Sequence, residues 1–125
     1  MSEMSKDQIF LEVAANLTRF YTFMGHSLRF VSEDAASGEL PLEQLESQMT
    51  QARTTLLPRI DKNPVMKNKI ESDYSTTQKL TADFRNLKPN DPAREKIKQE
   101  ARRLSAYAKE KSASLSDLVA IFRSL

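Results

Sequence analysis

Cysteine and tryptophan are absent from the 125 residues, histidine occurs once and glycine only twice. Without cysteine there is no disulfide framework, no thiolate zinc site and no thiol nucleophile. The single histidine, His26, leaves any transition-metal site to be built almost wholly from carboxylates, and no nucleophile–base pair can be assembled around a second imidazole. So small a glycine supply excludes glycine-rich phosphate loops, dinucleotide-binding turns and most tightly turned β architectures. Long apolar runs are missing as well, since a bilayer span needs about 20 residues and the uninterrupted stretches here last only a few. The segment Met1-Ser2-Glu3-Met4-Ser5-Lys6-Asp7 is polar and partly acidic, with no basic region leading into an apolar run. These absences predict a soluble, cytoplasmic chain with no secretory signal, no membrane contact and no cofactor.

What is present suits a folded protein. Hydrophobic residues make up 39% and charged residues 29%, enough apolar surface for a core and too much for a disordered chain. The length fits one domain, residues 1–125. Nineteen basic and seventeen acidic side chains leave a net charge of +2, but they are unevenly placed. Residues 1–40 hold three bases against six acids, whereas residues 91–125 hold eight bases against five. An acidic first segment lying beside a basic last one is the simplest use of that asymmetry, and steering of a partner is the other.

Apolar residues recur at helical spacing in four stretches. Ser5-Lys6-Asp7-Gln8 reads as a capping box ahead of Phe10, Val13, Leu17, Phe20, Met24 and Val31. That pattern fades at Ala35-Ala36-Ser37-Gly38, where Gly38 is a natural stop, giving a first helix of roughly 45 Å. Pro41 suits the first position of a second helix with the stripe Leu42, Leu45, Met49, Ala52, Leu56 and Ile60, which Pro58 should kink or end near Leu57. Asn63-Pro64 is the next start signal, and Met66, Ile70, Tyr74, Thr77, Leu80, Phe84 and Leu87 follow. After the turn Lys88-Pro89-Asn90-Asp91-Pro92, with Asp91 as N-cap, the last stripe is Ile97, Ala101, Leu104, Ala108, Lys111, Leu115, Leu118, Phe122 and Leu125. Its middle, Ser105 to Ser114, is small, polar or charged apart from Tyr107. The spacing predicts one continuous helix, the alternative being a separate C-terminal helix over 115–125 capped at Ser114-Leu115-Ser116-Asp117.

Short links between successive helices predict an all-α fold, an antiparallel up-down-up-down four-helix bundle. The first and last helices read as about ten residues longer than the middle two. Their overhanging ends must pair with each other, with another copy or with a partner.

Two apolar surfaces are candidates for partner binding. Phe23 and Phe30 lie one heptad apart, roughly 100–120° from the centre of the main apolar arc of the first helix. With Arg19 and His26 they form the ridge Arg19, Phe23, His26, Phe30, rich in the residue types that dominate interface energetics. Core packing against neighbouring helices is the competing use of the two rings. The second surface is the apolar tail Leu115, Leu118, Val119, Phe122 and Leu125, spaced as a partner helix reads its anchors. The function expected is therefore non-enzymatic: an adaptor, chaperone or assembly subunit that binds another protein or itself, a homodimer being the simplest form. In size and helix count the chain resembles the small helical chaperones of flagellar and type III export, with no motif behind the likeness.

Two other readings come from charge and from histidine. Arg94, Lys98, Arg102 and Lys109 share an arc of about 80°, a stripe able to track nucleic-acid phosphates. A solvated face of helical ion pairs is the plainer use of the same residues. Gly25-His26-Ser27-Leu28-Arg29 resembles part of the histidine phosphotransfer domain, whose helical bundle carries His-x-Leu-Lys-Gly. That resemblance implies a phospho-accepting His26, although Phe30 stands where the family keeps glycine and only 25 residues precede His26. Enzymatic chemistry finds no support: Glu43 and Glu46 lie three apart without a histidine, and there is neither a His-Glu-x-x-His nor a calcium loop.

Overall fold

In a computed structural model, residues 5–33, 41–88 and 90–124 are described, with side chains to residue 119. Gly38 and Leu125 lie outside the described residues, as does the side chain of Phe122. Among the described residues four helices follow one another: α1 (Lys6–Ser32), α2 (Leu42–Leu56), α3 (Pro64–Asn86) and α4 (Ala93–Ser124), with a 3-10 turn at Leu57–Arg59. No strand occurs among the described residues.

The helix starts are local chemistry. At α1 the Gln8 N–H donates to Ser5 Oγ at 3.1 Å and the Ser5 N–H donates to Gln8 Oε1 at 2.9 Å, a complete capping box. Asn63 Oδ1 accepts from the Met66 N–H at 3.1 Å ahead of Pro64, and Asp91 Oδ1 accepts from the Ala93 N–H at 2.9 Å. Two boundaries differ from the sequence reading. Pro41 is the N-cap of α2, its carbonyl accepting from Gln44 and Leu45, so the helix proper begins at Leu42. The α1 helix closes at Ser32, where the Glu33 N–H donates to the Arg29 carbonyl at 2.9 Å, so the rod is nearer 40 Å than 45 Å. Pro58 ends α2 as expected, through the 3-10 turn.

Cross-contacts fix the directions. Along α1 and α2, Arg19 reaches Gln48 and Gln51 while Arg59 reaches back to Glu12 at 3.3 Å. Along α2 and α3, Arg53 meets Glu71, Thr50 meets Tyr74 and Arg85 meets Glu46. Along α1 and α4, Ser105 donates to the Gly25 carbonyl and Thr22 meets Ser112. In each pair the partners' numbers run oppositely, so successive helices are antiparallel and the topology is up-down-up-down. The bundle is α1-centred: α1 contributes Leu17, Phe20, Tyr21, Met24, Leu28 and Val31 to a core closed by Met49, Ala52, Leu56, Ile60, Ile70, Phe84, Ala101 and Ala108.

In its middle α4 packs through Ala108, with Ser105 and Ser112 half-buried beside it, and the helix is continuous. Ala108 is fully buried opposite Gly25, in the seam between α1 and α4. Gly25 itself stands in a helix interior, where glycine is disfavoured by about 0.5–1 kcal/mol relative to alanine. The helix lengths, 27, 15, 23 and 32 residues, correct the expected mismatch for α3, which is only slightly shorter than α1. The real overhang is that of α1 and α4 beyond α2.

Candidate functional site

The face of α3 that enters the core follows the expected stripe through Ile70, Thr77 and Phe84, with Met66, Tyr74 and Leu80 packed at its edge, and adds Asp73 and Thr81 to it. Asp73, Thr77 and Thr81 are buried beside Ile70 and Phe84, while Tyr74 and Leu80 are only half-buried. Asp73 is tolerated because three groups satisfy it. Tyr21 donates to its Oδ2 at 2.6 Å, Tyr107 donates to the same oxygen at 3.1 Å, and Lys69 Nζ lies 3.6 Å from Oδ1. The two phenol rings meet edge to face at 6.1 Å, and the Lys69 ammonium sits 4.9 Å from the Tyr107 ring centre. One carboxylate thus ties α1, α3 and α4 together.

The network raises both the Tyr21 phenol and the Lys69 ammonium. Burial first, then the hydrogen bond to Asp73, pushes the Tyr21 phenol far above the usual tyrosine range. Contact with Tyr107, and then the Asp73 charge, raises the Lys69 ammonium. For Tyr21 the linkage has a definite sign. The folded chain keeps the proton, whereas the unfolded chain releases it above the ordinary value of 10.0, so stability present below pH 10.0 is lost as pH rises past it. Chemical denaturation above that pH should therefore show a falling midpoint in the wild type and a smaller fall in Tyr21→Phe. Equal falls in both proteins would remove Tyr21 as the cause.

The ridge on α1 is divided among different surroundings. Arg19 donates to the amide oxygens of Gln48 and Gln51 on α2. Phe23 and Phe30 are half-buried and pack against the core. His26 is exposed, its ring meeting that of Phe23 at 6.1 Å. In the tail, Leu115 packs against the core, Val119 is half-buried and Leu118 is 45% exposed. The basic stripe on α4 is not one uniform face. Arg94 donates to the carbonyls of Phe84 and Leu87 at 3.1 and 3.0 Å and stacks 4.0 Å from the Phe84 ring centre, capping the end of α3. Arg102 and Lys109 are exposed, and Lys98 is half-buried.

An apolar end is the feature that sequence alone did not assemble. Phe10, Val65 and Leu118, the large hydrophobic side chains exposed among the described residues, are 37%, 80% and 45% exposed. They come from the start of α1, the start of α3 and the last part of α4, which antiparallel packing brings to the same end. Toward the same end a cleft of about 320 Å³ is lined by Val65, Leu17, Met66, Ile70 and Leu115, with Lys69 and Lys111 at its polar side. Val65 follows the Asn63-Pro64 start signal, so its exposure could have been anticipated; its neighbours could not.

Among the described residues there is no group of three or more His, Asp or Glu placed to hold a metal ion, and no helix long and apolar enough to cross a membrane. No family model matches the chain, and neither does any curated protein or solved structure.

Proposed function

We propose that this protein is a helical protein–protein interaction module, an adaptor or assembly subunit, that holds its partner at the apolar end of the bundle. The supporting observation is the gathering of Phe10, Val65 and Leu118 at one end beside the Leu17–Met66–Ile70–Leu115 cleft. Exposed apolar residues scattered singly are ordinary, but three at one end of a bundle, one of them lining a cleft, supply the apolar surface that interfaces use. The mechanism is burial of a partner's amphipathic helix, whose apolar side chains enter the cleft while its polar face stays in water.

A second copy of the chain is the first partner to test, because such an end can meet itself across a two-fold axis. Sedimentation of the wild type should show dimers at micromolar concentration. Val65→Asp combined with Leu118→Asp should be monomeric with an unchanged helical signal, since both positions are exposed in the single chain. A wild type that stays monomeric at millimolar concentration, and carries no other protein through purification, overturns the reading.

A further inference from the structure

A trough of about 500 Å³ lies between α1 and α4, lined on one side by residues from Thr18 to Arg29 and on the other by residues from Ser105 to Ser116. Its floor is Gly25. A Cβ built there would meet Ala108 Cβ at 3.6 Å, Lys109 N at 3.8 Å and the Ser105 carbonyl oxygen at 3.8 Å, all ordinary contacts. The packing of α1 on α4 therefore has room for alanine, a better helix former, and does not account for the glycine. Gly25 lines the trough with backbone and no side chain.

The walls carry a consistent chemistry. His26, Arg29 and Lys109 supply an imidazole, a guanidinium and an ammonium, and no carboxylate is among the described lining residues. Arg29 also bridges Glu33 at 3.4 Å, in a half-exposed pair of the weak surface kind. Further along, the Thr22 and Ser112 hydroxyls meet at 2.6 Å. That bond uses one of their two hydrogens, and the other hydroxyl hydrogen remains a donor. Thr18 and Ser105 already donate to the carbonyls of Ala14 and Gly25, so they face the trough as acceptors.

We infer that this trough binds a small phosphorylated molecule with a hydroxylated body. Its phosphate sits among His26, Arg29 and Lys109, and its body lies over Gly25 against Thr22 and Ser112. Two cations and an imidazole, donors of different shape, suit a tetrahedral anion with several oxygens better than a planar carboxylate, which one guanidinium fork can satisfy. The volume is that of a small-molecule site and several times that of a phosphate group alone. This inference stands apart from the apolar end and does not depend on it.

The sole histidine makes a clean reporter. Ribose 5-phosphate added to the full chain should shift the His26 ring resonances along a saturating curve, more tightly than inorganic phosphate, while ribose alone leaves them unmoved. Lys109→Ala should weaken binding about tenfold, the size of one charge-assisted contact. Lys98→Ala, outside the trough, should leave it unchanged. Gly25→Ala provides the sharper reading: it should raise the melting temperature yet weaken binding about tenfold by filling the floor. A linear shift reproduced by chloride at equal ionic strength overturns the inference. So does a Gly25→Ala protein that binds as the wild type does, or an oligonucleotide that binds where ribose 5-phosphate fails.

Discussion

Asp73→Ala should lower the free energy of unfolding by about 3 kcal/mol, a large share of the 5–15 kcal/mol typical of a domain. The substitution strands the Tyr21 hydroxyl, in a side chain only 3% exposed, and removes the shared acceptor of Tyr107. A buried donor left without a partner costs about 1–3 kcal/mol, and the lost Lys69 contact adds little because that ammonium is half in water. Asp73→Asn is the informative companion. Both phenols donate to one oxygen, and an amide carbonyl has two lone pairs to receive them, so the cost should fall to about 1 kcal/mol. Replacing all three residues together, as Tyr21→Phe, Asp73→Leu and Tyr107→Phe, should recover most of the loss, because nothing buried is then unsatisfied. Denaturant titration followed by circular dichroism measures each value. Equal losses in the alanine and asparagine variants would mean that the charge, and not the pair of hydroxyls, is what α3 is held by.

Phe23→Ser combined with Phe30→Ser should also cost about 3 kcal/mol, and the loss should appear as lowered thermal stability. Truncating a fully buried phenylalanine costs about 3–5 kcal/mol, and each of these half-buried rings contributes something under half of that. Both pack on the core, and α2 lies along the same flank of α1, where Arg19 grips Gln48 and Gln51. The double variant separates the two uses that the sequence left open for this ridge. A protein with unchanged melting behaviour but lost partner binding would assign the rings to an interface. A lowered melting temperature, with association through Val65 and Leu118 intact below it, assigns them to the fold.

Much of the architecture was legible because it is written in near neighbours. Ser5 with Gln8, Asn63 with Pro64, Asp91 with Ala93 and Pro58 with its helix end all act within a few residues, so spacing alone reveals them. On α3 the stripe holds at Ile70, Thr77 and Phe84, and the burial of Asp73 and Thr81 was not legible for the opposite reason. Counting apolar residues favours Tyr74 and Leu80 over Asp73 and Thr81, yet Asp73 goes inside because tyrosines 52 positions before it and 34 positions after it supply its hydrogen bonds. The soft middle of α4 was similarly ambiguous: small residues signal either a break or a close helix contact, and only the presence of Gly25 opposite decides between them.

The order of residues alone therefore settled that the chain is helical, how many helices it has and where nearly all of them begin. Those choices depend on backbone hydrogen bonds, caps and prolines that act over one or two turns. Packing in three dimensions decided which polar groups could be buried, which phenylalanines serve the core and which apolar side chains meet at one end. Those outcomes depend on what lies across a helix contact, and the desolvation cost of Asp73 or the exposure of Val65 has no value until the opposite surface is in place.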